Sequence, residues 1–207
     1  MATVKSGITN SPFVGVTNVH LAEMQTDPAD GTATYEEAFA YPWIIEVKIQ
    51  PQNNQETLYA DNMSVAVANA TSRYDLSINM AGVPLEYRAK LLGHKFENGK
   101  MVVSKEDAAP YFAFCFESTK QNGKKRFVRF TKVQFTEPDE TSHTKEEKIS
   151  YNTPTMTATA VYRTSDGISL EQADEESDGY SDTIGNEWYD STKFVTAKSQ
   201  GSGSGTP

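Results

Sequence analysis

One cysteine, Cys115, stands in 207 residues. It excludes an internal disulfide and fits synthesis in a reducing, cytoplasmic compartment. No eighteen apolar residues run together, so no membrane-spanning helix is expected. Met1–Thr9 puts no apolar core behind Lys5, so no signal peptide is expected either. The three histidines, His20, His94 and His143, show no metal-ligand spacing with one another or with Cys115. There is no G-x-S-x-G, no phosphate-cradling glycine loop and no H-E-x-x-H. No residue set proposes a reaction, so neither an enzyme nor a cofactor is expected. Cys115, between Phe114 and Phe116, reads as a small hydrophobe, and Trp43 and Trp188 read as core anchors.

Basic residues are missing from one stretch. Thr164–Asp190 holds nine acids (Asp166, Glu171, Asp174, Glu175, Glu176, Asp178, Asp182, Glu187, Asp190) and no Lys or Arg. That equals the formal net charge of −9, so the remainder of the chain is balanced. A protein that grips phosphates needs a basic face, so specific DNA binding is not expected, although a surface that DNA slides past is compatible. Within this stretch Asp174, Glu176, Asp178 and Asp182, with Gly179, fill five positions of a calcium loop. Gly185 stands where the bidentate Glu belongs, and no flanking helices are expected. The favoured reading of 164–187 is a solvated acidic loop, with calcium binding as the lesser alternative.

What is abundant is aromatic side chains, ten Tyr and ten Phe, in alternating patterns that favour strands. Val14–Ala22 reads as a first strand. Trp43–Gln50 sets Trp43, Ile45, Val47 and Ile49 against Ile44, Glu46, Lys48 and Gln50. Arg73–Met80 sets Tyr74, Leu76, Ile78 and Met80 against Arg73, Asp75, Ser77 and Asn79. Thr155–Arg163 sets Met156, Ala158, Ala160 and Tyr162 against Thr155, Thr157, Thr159 and Arg163. Each has one apolar and one polar face, as in a sheet that packs on a core and meets water behind. Tyr111–Ser118 and Lys124–Phe135, joined across Asn122-Gly123, form a hairpin. Its return strand switches parity after Phe130, which predicts a bulge or burial on both faces. Pro84–Leu92 is a short helix with Leu85, Ala89 and Leu92 on one face and Gly93 as its cap. Pro51–Ser72 is a long loop or hairpin arm. Trp188-Tyr189 and Phe194-Val195 return to the body as a last short element. Residues 1–200 form a single domain, and Gly201–Pro207 is linker-like.

Ordered segments along the chain resemble the major tail protein, or tail-tube protein, of long-tailed phages with non-contractile tails from Gram-positive hosts. They are Glu56-Thr57-Leu58-Tyr59-Ala60-Asp61-Asn62, Pro84-Leu85-Glu86-Tyr87 through Leu91-Leu92-Gly93-His94, Ala109-Pro110-Tyr111, Phe116-Glu117-Ser118, Asn122-Gly123-Lys124 and Phe135-Thr136-Glu137-Pro138. Thr144-Lys145, Asn152-Thr153-Pro154-Thr155 and Trp188-Tyr189 complete the series. The return strand departs from the pattern in having few aromatics around Val128–Lys132, and 164–187 is longer and more polar than the pattern. The resemblance implies a mainly β, sandwich- or barrel-like subunit with one short flanking helix (84–92). It implies hexameric rings stacked into a hollow tail tube that conducts the genome, assembled in the host cytoplasm and found in the virion tail. A tape-measure protein and a tail terminator are the partners it implies, with no membrane and no catalytic residues.

Two surfaces follow. Glu46, Lys48, Gln50, Asp75, Ser77, Asn79, Thr157 and Thr159 are candidates for the lumen wall. Glu56, Leu58, Tyr59, Asp61, Val65 and Val67, in the arm, are candidates for the contact along the tube axis. The competing reading is a β-sandwich binding module for carbohydrate or host adhesion, with calcium in the acidic segment. A contractile tail would differ by a sheath that this chain does not encode.

Overall fold

The computed structural model describes residues 11–60, 63–139 and 153–195, with side chains described outside 54–69. Among these residues eleven strands and two α-helices follow in chain order: β1 (Phe13–Thr26), β2 (Thr34–Tyr35), β3 (Phe39–Ala40), β4 (Ile44–Ala60), β5 (Met63–Met80), α1 (Leu85–Leu92), β6 (Lys95–Glu97), β7 (Lys100–Val102), β8 (Tyr111–Lys120), β9 (Lys125–Phe135), β10 (Thr155–Ala160), β11 (Leu170–Asp174) and α2 (Asp182–Asn186). Nine of the strands form one antiparallel sheet in the order β2-β1-β8-β9-β10-β5-β4. β3 adds to β1, β11 adds to β9, and β6-β7 is a separate hairpin. The architecture is mainly β and sandwich-like.

The β8-β9 hairpin is the centre of the molecule because it is buried on both faces. Phe112, Phe114 and Phe116 enter the main core with Val19, Leu21, Leu76, Ile78, Met80 and Met156. Ala113 and Cys115 face the other way, into a second cluster with Phe127, Trp188 and Phe194. The parity switch in β9 is a bulge. Phe112 pairs with Val133 but Phe114 with Phe130, so β9 spends one extra residue there. Val128, Phe130, Val133 and Phe135 thereby all reach the main core. At this bulge β9 also changes partner, taking β11 along Arg126–Phe130 and β10 along Val133–Phe135.

The alternating strands behave as their patterns dictate, with local corrections. β4 carries a bulge between Ile44 and Glu46. Ile44 therefore packs on the core while Ile45 is 53% exposed, reversing the assignment from simple alternation. Downstream of the bulge Val47 and Ile49 face the core as expected. The third strand ends at Ala160, not at Arg163. Tyr162 is exposed, and Arg163 turns inward to 1% exposure. On α1, Leu91 joins Ala89 and Leu92 inside, while Leu85 at the first turn is exposed. Pro84 precedes the first helical residue as its cap, and Gly93 closes the helix at φ 72°.

Of the two forms expected for the arm the hairpin is found over 51–60 and 63–72: β4 and β5 pair from Ile44↔Met80 to Ala60↔Met63, with register shifts between Ile44 and Glu46, Gln52 and Asn53, and Leu58 and Tyr59. The acidic region is likewise no solvated loop. β11 is a strand of the main sheet, α2 is a second helix beyond the single one expected, and Trp188 and Phe194 anchor the end of the segment. The signal that could have revealed this is the pairing of a base-free stretch with the basic return strand Lys124–Lys132.

Candidate assembly surfaces

The register of β10, β5 and β4 collects the eight polar-face residues on adjacent strands. Thr157 lies opposite Ser77 and Thr159 opposite Asp75. On the other side of β5, Lys48 lies opposite Ser77, Gln50 opposite Asp75 and Glu46 opposite Asn79. Residues paired across a sheet share a face, so all eight stand on one surface, with Leu76, Ile78, Met156 and Ala158 on the core side behind it. The surface continues onto β9, where Gln134 pairs with Thr159 and the Thr136 hydroxyl meets that of Thr157 at 2.5 Å. Arg73 adds a second cation, its Nε donating to Asp75 at 3.0 Å.

This surface ends at a free edge. Among the described residues β4 pairs only with β5, leaving one side of a seventeen-residue strand with unmatched backbone donors and acceptors. At the other end of the sheet Phe13–Asn18 of β1 pairs with β8 on one side, its β2 and β3 contacts beginning at His20. Phe13 and Val14 are exposed there. A long open edge is a template for pairing with another chain.

The arm extends this edge. β10 pairs with β5 only from Tyr74 to Asn79, so the ribbon beyond, to Ala60 and Met63, is two-stranded for roughly 25 Å. Along it Glu56 lies opposite Ala68, Leu58 opposite Ala66 and Val67 opposite Thr57, and a register shift falls at Val65, between Leu58↔Ala66 and Tyr59↔Ser64. Asp61 lies outside the described residues. Two-stranded ribbons are marginal alone in water, so this one calls for a surface to rest on.

Two of the four candidate calcium residues, Asp174 and Glu176, bind cations of the subunit. The Lys120 ammonium, on a side chain 1% exposed, donates to Asp174 Oδ1 at 2.6 Å and to Glu176, while Arg126 Nε donates to Asp174 Oδ2 at 2.9 Å. Burial, which alone would raise the Asp174 carboxyl, is outweighed by these bonds, and it titrates below the ordinary aspartate value. Asp182 opens α2. Similar clamps hold the rest of the segment. Arg129 binds Glu171 at 2.7 Å and stacks over Trp188 and Phe194. Arg163 binds Asp166, the Tyr35 hydroxyl and the Phe194 carbonyl. Asp27 accepts from Lys132 and from the backbone of Thr164 and Ser165. The acidic stretch is therefore a strap clamped across the hairpin, with Asp166, Glu171, Asp174 and Glu176 paired to cations of the subunit.

His20 stacks on Tyr189, His94 sits between Asp107 at 2.7 Å and Glu137 at 2.9 Å, and His143 lies outside the described residues. Burial pushes the Cys115 thiol up to about 12, which leaves it no nucleophilic character near neutrality.

The sequence profile of the phage tail tube protein family matches residues 49–187, well over half of the chain. The chain belongs to that family. The matched span begins inside β4 and so contains the arm, the central hairpin, β10 and the strap up to Glu187. As a tail tube protein it is a structural component of the virion tail, built for homo-oligomeric assembly with other tail components. No helix among the described residues is long and apolar enough to cross a membrane. A similar solved structure is titled "Cryo-EM structure of the anti-feeding prophage (AFP) baseplate, 6-fold symmetrised", at 8% identity, covering 80% of this chain and 97% of that chain with a TM-score of 0.38, a likeness too loose to carry a structural conclusion. Comparison with curated proteins finds no match.

Proposed function

We propose that the chain assembles head to tail into closed rings, six copies being the number its resemblance implies, and that the rings stack into the hollow tube of a non-contractile tail. The polar face of β10, β5 and β4 lines the channel through which DNA leaves. The free edge of β4 pairs with the neighbouring copy, which removes an aggregation hazard by closure. The hairpin arm reaches the next ring. A tape-measure protein inside and a terminator at the end complete the tail, assembled in the cytoplasm of a Gram-positive host.

The observation that carries this reading is the co-facial register of hydroxyls, amides and a few charges on three adjacent strands, beside an edge seventeen residues long that is unpaired among the described residues. A water-filled bore needs that combination; a carbohydrate-binding face would need exposed aromatics, and this one has hydroxyls. Size-selective thiol labelling tests it. Ser77→Cys in the assembled tube reacts with a small maleimide and is shielded from one coupled to a large polymer, while the unassembled subunit reacts with both. Equal reaction with the bulky reagent in tubes would put this face on the outside.

A further inference from the structure

At its root the arm leaves the sheet through a bulge. The ladder between β10 and β5 ends where Ala160 pairs with Tyr74, and the Tyr74 ring stands edge-on to buried Phe130 at 5.6 Å. Immediately beyond, Gln52 pairs with Arg73 but Asn53 with Thr71, so β5 spends one extra residue, Ser72, where its support stops. A bulge of this kind bends a strand and increases its twist. Side chains close the gap that it opens. The Ser72 hydroxyl donates to the Gln52 carbonyl at 3.1 Å, and the Thr71 hydroxyl donates to Asn53 Oδ1 at 2.8 Å. From the chain just past β10, the Tyr162 hydroxyl donates to the Thr71 carbonyl at 2.8 Å.

Three consecutive residues there reach three different elements. Val161 donates its backbone N–H to the Lys132 carbonyl of β9 at 2.9 Å, and Tyr162 reaches the arm. Arg163, 1% exposed, turns to Asp166, the Tyr35 hydroxyl and the Phe194 carbonyl. Tyr162 itself is 41% exposed and belongs to neither apolar cluster, so burial does not account for where its ring lies. Resting on the reading above that the arm reaches the next ring, we propose that Tyr162 is the positioning residue of the arm. Its backbone is fixed by its two neighbours, and its hydroxyl latches Thr71 and sets the direction in which the ribbon leaves the bulge. A two-stranded ribbon has no core of its own to hold it. Without the latch it swings about its bulged root, and the entropy of ordering it falls due when subunits meet. With the latch the arm is aimed before a neighbour arrives, so more of the contact energy appears as affinity.

Tyr162→Phe tests this, because it keeps the ring and removes only the hydroxyl. Spin labels at Thr57→Cys in the arm and Gln172→Cys on β11 report the arm's direction by double electron–electron resonance in dilute, unassembled subunits; Cys115 is buried and does not compete. With Tyr162 in place the distance distribution should be single and narrow, and in Tyr162→Phe it should broaden while the thermal melt stays unchanged. The critical concentration for tube formation, read by pelleting and electron microscopy, should rise about three- to tenfold, the equilibrium equivalent of one intramolecular hydrogen bond. An unchanged distance distribution in Tyr162→Phe would overturn the latch, and a broader one with an unchanged critical concentration would overturn its role in assembly. A lowered melt would make Tyr162 a prop of the fold and overturn the proposal as well. All three results leave the tube standing, whereas a wild-type chain that forms no tubes at any concentration would overturn the tube reading and the positioning role with it.

Discussion

Lys120 joins the strap to the hairpin at a single atom. Its ammonium is almost fully enclosed, and desolvation, which would lower its pKa, is outweighed by Asp174 and Glu176, so the group is held above the ordinary lysine value. Lys120→Met removes the cation and leaves two carboxylates facing each other. We expect a loss of about 3 kcal/mol in chemical denaturation, the scale of breaking a buried ion pair from one side. Double replacement with Asp174→Asn should recover part of it, and a Lys120→Met loss within error of zero would contradict the clamp. Gly93 is the backbone counterpart. At φ +72° a Cβ would stand 2.2 Å from the Ala108 carbonyl oxygen. Gly93→Ala should cost at least about 2 kcal/mol, combining left-handed strain with a backbone clash; a smaller loss in urea melts would mean that the 104–110 loop gives way. Neither position was legible in the sequence beyond the Gly93 cap, since the partners of Lys120 lie 54 and 56 residues away. Local patterning shows which residues are charged, and only the fold shows which charges meet.

The strap and the arm are the elements whose behaviour decides the subunit. Trp188, 6% exposed, stacks against Phe127 and Arg129. Trp188→Ala should cost about 3–5 kcal/mol and make 164–195 the first region cut in limited proteolysis; cleavage elsewhere first would show that the ion pairs alone hold the strap. Removing residues 54–69 and rejoining the strands with a two-residue turn should leave the melting curve nearly unchanged and abolish polymerisation, whereas unimpaired tubes would contradict the axial role of the arm. Elements with strong alternation, β5 and the β8-β9 hairpin, were legible because one-face or two-face burial leaves a period of two. Ile45 and Tyr162 were misassigned because a bulge and an early strand end reset that period without changing composition. The strap escaped because its apolar anchors are sparse and its acids resemble a solvated loop until the hairpin's bases are placed beside them.

At the scale of the whole molecule, several carboxylates titrate low, and their common effect is sensitivity to acid. Asp27, Asp174, Glu176 and Glu137 are all depressed. For Asp27, Asp174 and Glu137 burial is outweighed by hydrogen bonds, from Lys132, Lys120 and His94 first among them, and for Glu176 the Lys120 bond is the leading cause. A depressed carboxylate contributes stability that is complete above its unfolded value, near 3.8 for Asp and 4.5 for Glu, and is lost as pH falls toward the folded value. Subunit stability should therefore be flat from about pH 7 to 5 and fall progressively below. A thermal melt series with no loss by pH 3 would contradict the clamp network. The family and the mainly β architecture were legible from ordered segments, because alternation and turn residues are local; the ring and its bore belong to contacts between copies. Negative-stain electron microscopy of the concentrated chain tests that central claim most directly. Hollow tubes of uniform width, with rings as their shortest form, are the predicted result, and dispersed single particles at every concentration and salt would contradict it.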